Sequence, residues 1–210
     1  MTRSSSPSNP IPTWARWAAI AWLAVWLPIY TIVWGTNSFL FLCDIAVVLT
    51  CVGLWSGSAL LLSSQAVSSL FVDSMWMLDI AWHLIVGGHI IGGTDYFFDP
   101  HYPLGVRLLS TFHVALPIVL LTSLRRTGYD RRALGLQCLI AAVAMTASRI
   151  FYTEKNINFA VTDPIFHRTW GPAPVHVAFV LAALVVFIYL PTHLMLARFF
   201  PAPKVLNPQN

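Results

Sequence analysis

Five long stretches of this chain contain no Asp, Glu, Lys or Arg, and this feature limits its fold more than any other. The stretches cover residues 17–43, 45–72, 108–124, 133–148 and 169–197. A helix needs roughly 20 mainly apolar residues to cross a bilayer. Only 10% of all residues are charged and 57% are apolar, whereas a soluble domain has about 25% charged residues. The sequence therefore predicts an integral membrane protein.

A sixth segment, residues 68–92, is less apolar because it contains Asp73, Asp79, His83 and His89. Ionisable residues in a membrane span usually face the bundle interior or a wet cavity, so we expect a central helix here. The predicted helices cover residues 14–34, 38–63, 68–92, 102–124, 131–152 and 174–199. The predicted fold is thus an all-α polytopic membrane bundle of six transmembrane helices, at 14–200, with a flexible N-terminal tail (1–13) and a C-terminal tail (201–210).

Positive charges predict the orientation of this bundle. The loop "RRTGYDRR" at 125–132 carries four arginines, and Lys and Arg concentrate in cytoplasmic loops. With six spans, both termini share the side of this loop. Of the twelve Lys and Arg residues, eight lie on that side: Arg3, Arg16, Arg125, Arg126, Arg131, Arg132, Arg198 and Lys204. We therefore expect cytoplasmic termini in a bacterial inner membrane, and because the net charge comes largely from these flanks, nucleic acid is not an expected partner.

Cys43 and Asp44 place a thiol beside a carboxylate near the start of an apolar run. A thiol reacts as the thiolate, which needs a base or a positive partner. His113 is the histidine that lies well inside the predicted fourth helix, and an imidazole is a suitable base for a thiol. Packing of Cys43 as a small apolar side chain, and of His113 as a hydrogen-bonded core residue, stay open as alternatives. In either alternative, Cys43 and His113 need not contact each other.

Two further polar groups are candidates for substrate binding. Asp79 and His83 are spaced i, i+4 on one helix face, which suits a hydrogen-bonded pair or two ligands of one metal. The chain lacks H-x-x-x-H, H-E-x-x-H and E-x-x-H, so we predict no metal site and no cofactor. The second group lies at the outer end of the fifth helix, where snorkelling charges are the alternative explanation. It consists of Arg149, Lys155, Asn156 and Asn158, with Glu154 and Asp163 as candidate ion-pair partners of Arg149.

Four short motifs in order resemble the YwaF-like integral membrane proteins, a family whose animal branch includes ether-phospholipid acyltransferases. The motifs are Cys-Asp at 43–44, "FHVALP" at 112–117, "NINF" at 156–159 and "WGPAP" at 170–174. The resemblance implies a bundle of about six helices with a cysteine nucleophile and a histidine base. In that scheme Cys43 takes an acyl chain from a phospholipid as a thioester, and His113 activates first the thiol and then the acceptor hydroxyl.

The leading hypothesis is a thiol-dependent phospholipid acyltransferase or transacylase. Cys43 is its nucleophile, His113 its base and Asp44 an orienting residue, and membrane phospholipids are its partners. The first alternative is a bundle without catalytic activity that binds a lipid or another hydrophobic ligand, or that serves as a subunit of a membrane complex; a homo-oligomer also stays open. The second is a metal- or haem-dependent membrane oxidoreductase that uses His83, His89 and His113.

Overall fold

The computed structural model describes residues 9–90 and 93–203, and those residues form helices and loops without a strand. The α-helices are α1 (Thr13–Trp34), α2 (Leu42–Ser56), α3 (Ala59–Val86), α4 (Asp95–Phe98), α5 (Leu104–Leu109), α6 (Phe112–Thr127), α7 (Ala133–Phe151), α8 (Ala173–Leu184) and α9 (Leu190–Phe199). Short 3-10 helices cover Thr36–Leu40, Thr153–Lys155 and Ile157–Phe159, and a π-helical turn, Val185–Tyr189, joins α8 to α9. Arg3, Lys204, most of the two predicted tails and the end of the predicted third helix lie outside the described residues.

Five helical stretches are long and apolar enough to cross a membrane. They are Thr13–Trp34, Ala59–Val86, Leu104–Thr127, Ala133–Phe151 and Ala173–Phe199. The sixth stretch, α2, is apolar but has only 15 residues, which extend about 22 Å against a hydrocarbon core of about 30 Å. The 3-10 helix Thr36–Leu40 precedes it and lengthens the helical path. The predicted all-α polytopic membrane bundle is confirmed.

The boundary between the second and third helices was predicted wrongly. The chain turns at Gly57 and Ser58, whereas the prediction put the turn between residues 63 and 68. Gly57 takes the left-handed conformation (φ +67°) that ends many helices, and the Ser58 hydroxyl accepts a hydrogen bond from the N–H of Leu61 to start α3. Asn9 donates its amide N–H to the last carbonyls of α2, those of Leu54 and Trp55.

The predicted fourth helix is broken in two. α5 ends at Leu109 and α6 begins at Phe112, so His113 lies in the first turn of α6 and not deep inside a continuous helix. The hydroxyl of Ser110, at the break, lies 2.8 Å from the hydroxyl of Tyr30 on α1. This buried contact holds the break against α1.

Helix α3 lies at the centre of the bundle through its first half, whereas the segment predicted to be central, residues 68–92, is mostly exposed or half-buried beyond residue 70, with Asp73 and Asp79 as buried exceptions among the described residues. It packs against α2, α6, α7 and α9, and every residue from 62 to 70 is buried. Leu62, Ala66 and Val67 of α3 belong to the main apolar core with Trp26 and Leu120. We call the end of the bundle where α1 ends and α2 begins the outer end, and the opposite end, with the loop at 128–132, the inner end.

The described parts of the two predicted tails contact the bundle. Besides the bonds of Asn9 to α2, Ile11 is buried in the main core. At the other terminus, the N–H of Tyr129 donates to the carbonyl of Pro201 at 2.8 Å. Both contacts lie at the inner end, where they connect the chain ends to inter-helix loops.

Candidate functional site

Cys43 and His113 occupy equivalent positions at the outer end of the bundle. Cys43 is the second residue of α2, and His113 is the second residue of α6. Both helices begin at the outer end and run inward, and they pack against each other and against α3. The two residues therefore lie at a similar depth, each in the first turn of its helix.

The base candidate, His113, is paired with a carboxylate on α3. Its Nδ1 atom lies 2.7 Å from Oδ1 of Asp73, and the two residues are only 5% and 0% exposed. Trp76 stacks on the imidazole with ring centroids 4.8 Å apart. The hydrogen bond found for the imidazole among the described residues is the one at Nδ1. Because a carboxylate on Nδ1 favours the tautomer with its proton there, Nε2 is left as the ring atom that can accept a proton.

The thiol of Cys43 borders this pair but does not bond to its imidazole. Cys43 is half-buried, and its Sγ atom has Oδ1 of the buried Asp44 as its hydrogen-bond partner, at 3.9 Å. Asp73 and Cys43 interact electrostatically, but no hydrogen bond joins them among the described residues. A direct bond between Cys43 and His113 is absent from the described part of the chain.

Tyr96 is connected to this cluster through Trp76. Tyr96 of α4 accepts a hydrogen bond from Nε1 of Trp76 at 3.1 Å, which connects α4 to the tryptophan that covers His113. Burial raises the pKa of Tyr96 to about 12, although hydrogen bonds from Ser110 and Trp76 act in the opposite direction. Tyr96 is therefore a neutral hydroxyl at physiological pH, able to donate a hydrogen bond.

Asn158 holds the start of α2 in place. Its Oδ1 atom accepts the N–H of Leu42 at 3.0 Å, and its Nδ2 atom donates to the carbonyl of Leu40 at 2.7 Å. These two bonds span the residue that precedes α2 and satisfy an N–H group that the helix itself leaves unpaired. Cys43 follows immediately. Asn158, predicted to bind substrate, instead bonds to the backbone beside Cys43.

His176 connects two of the sequence motifs and was not a predicted site residue. It is fully buried, its Nδ1 accepts the N–H of Trp170 at 3.1 Å, and its Nε2 donates to the carbonyl of Phe159 at 3.1 Å. One nitrogen accepting and the other donating define a neutral imidazole. The residue follows "WGPAP" by two positions, and that apolar, proline-rich setting gave no sign of its partners.

Asp79 pairs with His89, and the predicted hydrogen bond between Asp79 and His83 is absent among the described residues. Oδ2 of Asp79 lies 3.0 Å from Nδ1 of His89, and Thr94 donates its hydroxyl to the same carboxylate. Nε2 of His89 lies 2.8 Å from Asp95. His83 stacks on Phe98 and on His89, and its Nδ1 atom is buried without a partner in the described chain. This cluster fastens the loop after α3 and is separate from the Asp73–His113 pair.

The predicted phosphate-binding group is dispersed. Arg149 bonds neither to Glu154 nor to Asp163 in the described residues, and its Nε atom is buried without a partner. Lys155 donates to Oδ1 of Asn37 at 3.0 Å. Asn156 bonds within its own loop, where its Oδ1 atom accepts the N–H groups of residues 161 and 162. Arg149 is therefore the member of this group that retains an unsatisfied donor inside the bundle.

An apolar groove of about 250 Å³ lies between the start of α2 and α7. It is lined by Leu40, Ile45, Leu139, Ile140, Val143 and Ala144. Leu40 and Ile45 lie within three residues of Cys43 in the sequence, but Cys43 itself is not among the lining residues. A surface of this kind suits a hydrocarbon chain.

Comparison with protein-family models, with curated proteins and with solved structures finds no match for this chain. Among the described residues, no group of three or more His, Cys, Asp and Glu side chains is arranged to hold a metal ion. The chemistry of the site therefore has to be argued from its own residues. Asp73, which the sequence placed in a membrane span without a role, is the addition that matters most.

Proposed function

We propose that this protein is a membrane-embedded, thiol-dependent phospholipid acyltransferase or transacylase, with Cys43 as nucleophile and His113 as base. The observation that carries the proposal is the buried Asp73–His113 pair, at the end of the bundle where Cys43 also lies. A carboxylate, an imidazole and a nucleophile in sequence are the usual parts of an acyl-transfer site. Asp73 takes the orienting role that the sequence assigned to Asp44.

In the first step, Nε2 of His113 accepts the proton of the Cys43 thiol, and the thiolate attacks an ester carbonyl of the phospholipid. A C–S bond forms, and the ester C–O bond breaks. The departing oxygen takes the proton from His113, and a lysophospholipid leaves. This step requires the sulfur to leave its contact with Oδ1 of Asp44 and to approach Nε2 of His113. Asp73 stabilises the imidazolium that exists between the two proton transfers.

In the second step, His113 accepts the proton of an acceptor hydroxyl, whose oxygen attacks the thioester at Cys43. A C–O bond forms and the C–S bond breaks, and the proton returns from His113 to the thiolate. The enzyme ends in its starting state. Splitting the transfer in this way lets one base serve both halves of the reaction.

The surroundings of Cys43 suit a lipid substrate. The acyl chain has a hydrocarbon surface in the groove between α2 and α7. Arg149 and Lys155 are the basic residues at the outer end of α7, where a lipid phosphate would lie. We place the protein in a bacterial cytoplasmic membrane with both termini inside, in line with the distribution of its positive charges. The motifs that resemble the YwaF-like proteins support the same activity.

The test is a search for the thioester. Purified protein is incubated with phospholipids that carry an alkyne-labelled acyl chain, and the label is mapped by intact mass and peptide analysis. We expect a hydroxylamine-sensitive label on Cys43 that Cys43→Ser removes and that Cys138→Ser, the matched control, retains. His113→Gln should abolish labelling, while Asp73→Asn should slow it.

Absence of any label on folded protein across several lipid donors would contradict the proposal. Bound lipid without a label, detected by native mass spectrometry, would instead favour the non-catalytic lipid-binding alternative. Equal loss of labelling in Cys43→Ser and Cys138→Ser would also count against a specific role for Cys43.

A further inference from the structure

Three buried oxygen atoms follow one another along the central helix α3. They are Oε1 of Gln65, Oγ of Ser69 and Oδ2 of Asp73, and none has a hydrogen-bond partner among the described protein atoms. The three residues are 0%, 2% and 0% exposed. Most buried polar atoms in proteins are paired, with protein or with ordered water. Three unpaired oxygens on one helix therefore require a common explanation.

The spacing of these residues suits bridging by water. They are four positions apart, so they lie on successive turns of one helix face, with a rise of about 6 Å per step. Two consecutive hydrogen bonds of about 2.8 Å through one water molecule span nearly that distance. One water between each pair can thus join the amide, the hydroxyl and the carboxylate in a single line.

Neighbouring helices contribute polar atoms to the same region. Oγ1 of Thr50 on α2 and Oε1 of Gln137 on α7 are also buried without a protein partner, and both helices pack against α3. Nε2 of Gln137 donates to Ser68, which lies beside Ser69. Buried polar groups without a protein partner are commonly bridged by internal water.

Further polar groups lie on α3 between Gln65 and the inner end of the bundle. Gln65 donates its Nε2 to the hydroxyl of Ser64 at 2.8 Å, and the adjacent Ser63 accepts the N–H of Asp130 in the inner loop at 3.0 Å. At its outer end the line terminates in the Asp73–His113 pair. Polar groups therefore follow α3 from the inner loop to the candidate site.

We propose that Gln65, Ser69 and Asp73 line an internal column of water that conducts protons between the inner aqueous side and the Asp73–His113 pair. Each transfer breaks one O–H bond and forms the next, so the pair gains one proton for each proton that the inner phase loses. Ionisable residues that face the interior of a membrane bundle mark such proton paths. This function does not depend on acyl transfer, because the transfer proposed above takes up no net proton at His113.

Trp76 stacks on the imidazole of His113, so its fluorescence emission can report the charge on that imidazole. Protonation places a cation over its ring and alters its emission. The other titratable groups near the pair are Cys43 and Asp44 of α2, Tyr30 of α1 and Tyr96 of α4. Subtracting the signal of Trp76→Phe isolates the reporter from the remaining tryptophans.

The experiment uses the full chain in liposomes whose orientation is established by protease protection of a terminal tag. The pH is stepped from about 8 to about 5 on one side only, across the range in which histidine titrates. We expect Trp76 emission to follow the step on the inner side faster than the step on the outer side. Ser69→Leu, which fills the column, should abolish this faster inner response.

Two variants keep the test decisive. Ser69→Ala removes the hydroxyl without adding volume and should slow the response less than Ser69→Leu does. Ser74→Ala is the matched control, because the Ser74 hydroxyl bonds to the carbonyl of Leu70 on its own helix and is exposed; its response should equal that of the unaltered protein. An outer response as fast as the inner one, no response to either step, or a folded Ser69→Leu protein that responds normally would overturn the proposal.

Discussion

Removal of the Asn158 side chain should loosen the start of α2 and expose Cys43. Asn158 makes two hydrogen bonds to the backbone of that segment, one as acceptor and one as donor. Each such bond contributes about 0.5–1.5 kcal/mol net, so their loss should cost about 1–3 kcal/mol. Asn158 also has a φ of +54°, a conformation that glycine accepts and alanine does not.

Two substitutions separate the hydrogen bonds from the backbone conformation. Asn158→Gly loses both bonds but tolerates the positive φ, whereas Asn158→Ala loses both and adds about 1 kcal/mol of backbone strain. Asn158→Asp keeps the acceptor for the N–H of Leu42 and loses the donor to Leu40. We therefore expect stability to fall in the order wild type, Asn158→Asp, Asn158→Gly, Asn158→Ala.

The assay is the rate at which a maleimide modifies Cys43, together with the free energy of unfolding from denaturant titration. If modification requires local opening of α2, a loss of about 1–3 kcal/mol raises the rate by roughly 5- to 150-fold. Cys138 on α7 is the internal control, and its rate should stay unchanged. Asn156→Gly is the matched variant, because Asn156 also has a positive φ but bonds only within its own loop.

An Asn158→Gly protein whose Cys43 rate and unfolding free energy stay within about 0.5 kcal/mol of the wild-type values would refute this reasoning. A loss in Asn158→Ala alone would assign the effect to the backbone conformation and leave the two hydrogen bonds without a role. An equal increase at Cys138 would indicate general unfolding and not opening of α2.

Three further predictions concern other parts of the bundle. Asp73→Asn breaks the buried pair with His113 and should lower the unfolding free energy by about 3–5 kcal/mol. Adding His113→Gln to Asp73→Asn should lower the unfolding free energy further, but by a smaller amount. Burial acts to raise the pKa of Asp163, but N–H donors in its loop hold that pKa below its usual value of 3.8. The stability that this carboxylate provides is present above that value and is lost as pH falls through its folded pKa. Melting curves of Asp163→Asn should therefore lack this acid-induced loss. Gly128→Ala would place Cβ 2.8 Å from the carbonyl oxygen of Ala202 at a φ of +78° and should cost about 1–3 kcal/mol, whereas Gly135→Ala, with open space around it, should not destabilise the protein.

The apolar stretches predicted most of the helices because hydropathy depends on the membrane and not on tertiary detail. α1 and α7 begin and end within two residues of their predicted bounds. The boundary at Gly57 and Ser58 escaped prediction because those residues lie in the middle of a charge-free run. Local capping chemistry, not hydropathy, decides where α2 ends and α3 begins.

The candidate site was predictable in part. The sequence paired Cys43 with His113 on two helices that start at the same end, but it put His113 well inside its helix, whereas the break before α6 puts it in a first turn. The partner of His113 did not follow, because its contact with Asp73 joins residues forty positions apart. Asp79 illustrates the opposite error: the i, i+4 rule favoured His83 on its own helix, but the loop after α3 folds back and brings His89 to the carboxylate instead.

The long outer loop between α7 and α8 positions the site more than it binds a ligand. His176, fully buried in α8, holds the carbonyl of Phe159 and the N–H of Trp170. Phe159 follows Asn158 directly, so the imidazole restrains the residue that bonds to the start of α2. A continuous set of contacts thus runs from α8 through the loop to the backbone beside Cys43. Two of the four sequence motifs, "NINF" and "WGPAP", contribute residues to this set, and the set ends at the backbone on either side of the residue before α2, next to the Cys-Asp motif.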